Sequence, residues 1–272
     1  MKTPLSSSLL VVALVGLSAA AGAPAAAQGL GPGAAPMPLP LVVPLKKIPI
    51  GSWSDYVLND GKRKITMRVA LVARDDKTAQ IENQVDGLFP GATARAVVRM
   101  TLPLGDGAEV TPSELVLQMG RVPPMLMPQG AYVQRFKRVD ASTRLGVEDV
   151  QVPAGKFSRA DHHRETVGVT VPIDFWISKD VLPFGLVKTS STPSDGAAPV
   201  VMELVARGRG AKPAVTQKPG PFDPAALAAA MQGMAGPGSA GGGEVPQRGV
   251  PSPHPGMPPT PPGATPTPAK KK

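Results

Sequence analysis

The sequence predicts a mainly β protein, an antiparallel meander curled into a half-barrel or open barrel, flanked by a disordered N-terminal leader and C-terminal tail. Three observations predict it. Apolar and polar residues alternate at period two through the centre of the chain, the pattern of strands with one buried face. Clusters of turn-forming residues punctuate those runs. No amphipathic stretch of ten or more residues lies between them, and parallel strands would need such crossovers.

The elements follow in chain order. Met1 and Lys2 open a secretory signal, and the apolar run from Leu9 to Ala21 continues it. That run is too short for a bilayer span, which needs roughly 20 apolar residues. Ala25-Ala26-Ala27 supplies the small-residue cleavage pattern, so the cut is expected after Ala27 and residues 1–27 are removed on export. Residues 28–47, rich in Pro and Gly, read as an extended leader. Residues 48–210 form the folded unit. In it Ile65, Met67, Val69 and Leu71 share one parity, as do Ala94, Ala96, Val98, Met100 and Leu102. Val167, Val169, Val171, Ile173 and Phe175 hold a third run, and Met202 and Leu204 flank Glu203. Turns are expected at Asn59-Asp60-Gly61, Asp75-Asp76-Lys77, Leu104-Gly105-Asp106-Gly107 and Pro153-Ala154-Gly155, giving about eight strands. Residues 211–272 are dominated by Pro, Gly and Ala and bury too little apolar surface to offset chain entropy, so they are expected to be disordered. Within them Asp223 and Pro224 could start a transient helix reaching Met234.

Composition narrows the function. The chain has 272 residues and no Cys, which excludes disulfides, thiol nucleophiles and zinc ribbons and leaves stability to a hydrophobic core. The net charge of +9 suggests nucleic acid until it is located. Between Ile50 and Gly210 there are 20 Lys+Arg against 18 Asp+Glu, so the basic excess lies in the flanks and the folded part offers no phosphate-binding stripe. No nucleic-acid partner is expected, and no later segment is apolar for long enough to span a membrane.

Chemistry-bearing motifs are sparse. Asp161-His162-His163-Arg164-Glu165 is the most suggestive cluster, but on a strand His162 and His163 point to opposite faces. Asp161 and His163 share a face, and two ligands do not make a zinc site. Nucleophile-elbow, zincin, P-loop and dinucleotide fingerprints are absent, so no enzyme activity, metal or cofactor is expected. The apolar stretch Met119-Gly120-Arg121-Val122-Pro123-Pro124-Met125-Leu126-Met127-Pro128 lacks strand alternation and carries too many prolines for a long helix. Met adapts to irregular apolar surroundings, so this segment is a candidate rim over an apolar cavity. Met119, Met125, Leu126, Met127, Trp176 and Phe184 are the candidate ligand-binding residues, with core packing as the alternative reading of each.

One stretch is recognisable. Val150-Gln151-Val152-Pro153-Ala154-Gly155-Lys156-Phe157, Asp174-Phe175-Trp176-Ile177-Ser178 and Pro183-Phe184-Gly185-Leu186-Val187-Lys188 follow a V-x-V-P-A-G-x-F, D-x-W-I-S, P-F-G-L-V-K outline, closed by Glu203-Leu204. It resembles a family of uncharacterised bacterial secreted proteins, themselves similar to the half-barrel superfamily of periplasmic lipoprotein carriers. Relatives often carry a Cys after the P-A-G turn, where this chain has Phe157-Ser158-Arg159-Ala160. The resemblance implies a curved sheet around an apolar groove that holds acyl chains in the better-known relatives. The expectation is therefore a periplasmic or extracellular, non-enzymatic protein that binds a lipid or other apolar ligand. The alternative is an envelope interaction module with no small-molecule ligand.

Overall fold

The computed structural model describes residues 39–59, 64–87, 95–105, 109–128, 136–167, 171–192 and 199–234. All belong to the first of two compact units, Met1–Ser239 and Ala240–Lys272. The expected signal with its Ala27 cut, the start of the leader and the end of the tail lie outside the described residues.

The protein is mainly β, built on one open antiparallel sheet. Its strands are β1 (Leu39–Leu41), β2 (Trp53–Asn59), β3 (Lys64–Arg74), β4 (Thr78–Asp86), β5 (Ala96–Pro103), β6 (Glu109–Val110), β7 (Glu114–Met119), β8 (Met125–Leu126), β9 (Phe136–Arg138), β10 (Arg144–Val152), β11 (Gly155–Val167), β12 (Val171–Ile177), β13 (Leu186–Ser191) and β14 (Val200–Gly208), followed by helix α1 (Pro224–Met234). Eleven strands form the sheet in the order β10-β11-β12-β13-β14-β2-β3-β4-β5-β7-β8, more than the eight expected. Every neighbouring pair in it is antiparallel.

Strand parity matches the alternation where one face is covered. Ile65, Met67, Val69 and Leu71 of β3 and Val98, Met100 and Leu102 of β5 are buried on the inner face. The Asp75 turn closes on itself, with Asp75 Oδ1 accepting the Lys77 and Thr78 N–H groups at 2.8 and 2.6 Å. One run departs from expectation. The run from Val167 to Phe175 is split, Val167 ending β11 and Val171, Ile173 and Phe175 lying on β12, with Val167 paired opposite Val171, while Val169 lies outside the described residues. Equal parity within one strand and across a paired register look the same in sequence.

The sheet curls. The β10–β11 turn folds over the inner face, and Ala154 N–H donates to the Leu204 carbonyl of β14 at 3.1 Å. The hollow is filled by the chain itself. Residues 40–47 were expected in an extended leader; instead they cross the inner face, with Leu41 and Leu45 buried beside Ile48 in the main core cluster. Arg74 Nη1 holds them, donating to the carbonyls of Leu45 at 2.9 Å and Ile48 at 2.7 Å. β1 pairs parallel with β9, which pairs antiparallel with β6, in a small second sheet. Fully buried Phe136 of β9 packs against Phe184 with ring centroids 5.3 Å apart and the rings tilted by 36°.

Residues 211–234 depart from the expected disordered tail as well. Residues 211–220 run as a strap over the outer face of β4, β5 and β7, where Val215 packs with Val97 and Val116. Ala211 N–H donates to the Gly51 carbonyl at 3.0 Å. The helix expected from Asp223 is docked: Asp223 Oδ1 caps Ala225 and Ala226, and Leu227 is 4 % exposed within the main core.

Candidate functional site

The structure brings four of the six candidate ligand residues into one buried cluster, with Trp176 partly buried against it and Leu126 exposed. Met119 ends β7, Met125 opens β8, and Met127 follows it; they are 3, 3 and 9 % exposed. With Phe184, 1 % exposed, they belong to one core cluster that also contains Leu41, Leu45, Ile48 and Phe136. The prolines do not prevent pairing: Val116 lies opposite Leu126, and Met127 N–H donates to the Leu115 carbonyl at 2.9 Å. Leu126 points away from this cluster at 38 % exposure. Trp176 lies on the outer face of β12, stacked on His162.

Two hollows accompany these features. One of about 70 Å³ lies beneath residues 41–46, against Pro103, Leu104, Val110 and Arg138. The other, about 240 Å³, is a groove on the outer face over Val57 and Val205, walled by two ion pairs. There Arg68 grips Asp55 in two hydrogen bonds of 2.7 and 2.8 Å, and Arg95 grips Asp86 at 2.9 and 2.8 Å. Arg68 also lies 4.4 Å from the Trp53 ring centroid.

The outer face carries a second polar network. His162 places Nδ1 2.7 Å from Glu148 Oε1 of β10 and Nε2 3.0 Å from Asp174 Oδ1 of β12. Trp176 stacks on the imidazole at 4.5 Å and donates from Nε1 to Glu148 Oε2 at 2.9 Å. Arg164 donates twice to Asp174, and Lys188 pairs with Glu203 at 3.0 Å. The Trp176 hydrogen bond, then that from His162, hold the Glu148 carboxyl below its usual value. Arg164 does the same for Asp174. His163 faces inward as the strand parity requires, stacked on Phe175 at 5.3 Å with Nδ1 3.0 Å from Thr143 Oγ1, and burial pushes its pKa down. Among the described residues no group of three or more His, Cys, Asp or Glu is placed to hold a metal ion. No helix there is long and apolar enough to cross a membrane.

Sequence reasoning missed Glu82. It sits on the outer face of β4 and is fully buried because the strap covers it. Its carboxylate accepts the N–H groups of Ala214 at 2.6 Å and Val215 at 3.1 Å, while Arg99 Nη1 donates to the Val215 carbonyl at 3.2 Å. Burial raises its pKa, opposed by those two N–H groups and Arg99. No local signal marks this clasp, since its partners lie 132 and 133 residues away.

No family model and no curated protein matches the chain. Several solved structures are similar. The hypothetical protein CT021 from Chlamydia trachomatis overlaps with a TM-score of 0.38 at 11% identity, covering 62% of this chain and 92% of that one. A Bacteroides fragilis protein described as exported and of YmcC-like fold gives 0.33 at 11%, covering 59% and 97%. The MucA/MucB complex of Pseudomonas aeruginosa gives 0.31 at 12%, covering 60% and 53%. TM-scores this low carry no functional argument.

Proposed function

We propose that the chain is an exported, non-enzymatic protein whose curved sheet serves as a scaffold for protein contacts in the cell envelope. One observation carries this reading: the inner face is filled by the chain's own side chains. Leu41, Leu45, Ile48, Phe136, Met119, Met125, Met127 and Phe184 share a single buried cluster there. Burying each large apolar side chain contributes about 1.5–3 kcal/mol, so vacating the hollow for an acyl chain would forfeit several such terms. Ligand pockets of ordinary size hold roughly 300–1,000 Å³, whereas the hollow beneath residues 41–46 holds about 70 Å³. The N-terminal pattern ending at Ala27 supports export.

Native mass spectrometry of the protein purified from its host envelope, then incubated with phospholipid vesicles, tests the reading. The expected result is the mass of the chain or of a protein assembly, with no acyl adduct before or after incubation. A retained lipid at one per chain would overturn it in favour of an acyl carrier, which would require residues 40–48 to move off the inner face.

A further inference from the structure

His162 is held between carboxylates from two different strands. On β11 it lies opposite Gly146 of β10 and Trp176 of β12. Gly146 offers no side chain there. Glu148, two residues along the same face with no bulge between them, covers the ring from the β10 side. Asp174 covers it from the β12 side, on the cross-strand diagonal. Nδ1 is 2.7 Å from Glu148 Oε1, and Nε2 is 3.0 Å from Asp174 Oδ1. A carboxylate oxygen only accepts, so both contacts are hydrogen bonds only while both ring nitrogens carry a proton. The neutral ring has one N–H and turns a lone pair towards the other carboxylate.

We propose that His162 is a proton-dependent tie between β10 and the rest of the sheet, closed while the ring holds both protons and opened on the Glu148 side when it loses one. The two carboxylates are not equally anchored. Asp174, 22 % exposed, is gripped by Arg164 through two hydrogen bonds of 2.8 and 2.9 Å. It cannot swing away from a lone pair, so the single proton of the neutral ring stays on Nε2. Glu148 is 50 % exposed and keeps Trp176 Nε1 at 2.9 Å as its other partner, so it is the group that turns out to solvent. The remaining charges on this face are already paired: Lys188 of β13, 5.9 Å from the Trp176 ring centroid, bridges Glu203 of β14. By strand parity His163 and Asp161, the latter paired with Arg144, belong to the opposite face. Trp176 and then His162 hold Glu148 below the ordinary carboxylate range, and Arg164 does the same for Asp174, so both acids stay charged in mildly acidic solution. The tie is therefore present there and is lost as pH rises. Its loss falls on the end of the sheet, since β10 pairs among the described residues with β11 alone and this bond reaches across β11 to β12. The device does not depend on what occupies the inner face.

Amide hydrogen exchange of the full chain at about pH 5.5 and about pH 8, corrected for the intrinsic rate at each pH, tests the tie. In the unaltered chain the β10 amides that pair with β11 are expected to lose roughly fivefold in protection at the higher pH, while those of β4 do not change. His162→Gln has a donor for one carboxylate only, at either pH, and should show the lower β10 protection at both. Glu148→Gln, which removes the charge the ring holds, should behave the same way. Protection of β10 that is equal at the two pH values in the unaltered chain would overturn the proposal. So would a pH dependence that survives in His162→Gln, which would trace it to His163 instead.

Discussion

Glu82 shows how a single residue can carry a long-range connection. Its two carboxylate oxygens are the acceptors for the Ala214 and Val215 N–H groups. Glu82→Ala leaves buried donors without acceptors, a loss of about 2–3 kcal/mol. Glu82→Gln keeps one oxygen acceptor and should lose less. Urea denaturation checks the order, and an unchanged midpoint in the alanine variant would show that the clasp contributes nothing. The residue was invisible beforehand because Ile81-Glu82-Asn83 reads as an ordinary strand with a solvent-facing acid. The candidate methionines were legible as apolar and adaptable, and the fold decided that Met119, Met125 and Met127 would be used as core.

At the scale of elements, the two flanks matter most. Residues 40–48 reach the inner face because Leu41, Leu45 and Ile48 carry enough apolar area to be worth burying despite the surrounding prolines. Their fit is tight at Gly185, which has φ +77° and whose added Cβ would overlap Val42. Gly185→Ala is expected to cost about 2 kcal/mol through backbone strain and the overlap together. Adding Val42→Ala removes the overlap with Val42 Cγ2 and should recover part of the steric loss, leaving the strain and the contact with the Cβ of residue 42, a coupling that a double-mutant cycle on chemical denaturation reads directly. Additive losses would mean that residues 40–48 do not press on Gly185. The strap of residues 211–220 was misjudged for a related reason: its composition is that of a disordered tail, and it is anchored by Val215 and by hydrogen bonds mostly to its backbone, from Ala211 to Gly220.

For the whole molecule, stability should decline in acid. Asp75, Glu148, Asp149 and Asp174 all have lowered pKa values through hydrogen bonds, against a raised Glu82. A carboxyl lowered on folding contributes stability above its ordinary value that is lost as pH falls through the lowered one; Glu82 works in the opposite sense, since its burial penalty is relieved on protonation. Asp174→Asn isolates one of the lowered groups. It should lose about 1 kcal/mol at neutral pH and little in strong acid, where Asp174 is already protonated in the parent. Thermal melts across that range check it, and a loss independent of pH would contradict the assignment. The sequence by itself determined the class of the fold, because period-two alternation with interleaved turns is a local property that each strand states for itself. It also determined that His162 and His163 face opposite ways, since parity within one strand is fixed by the pleat. Only the tertiary structure decided that the hollow is filled from within and that residues 211–220 become a strap. Those outcomes depend on contacts between segments more than a hundred residues apart, which no window of sequence contains.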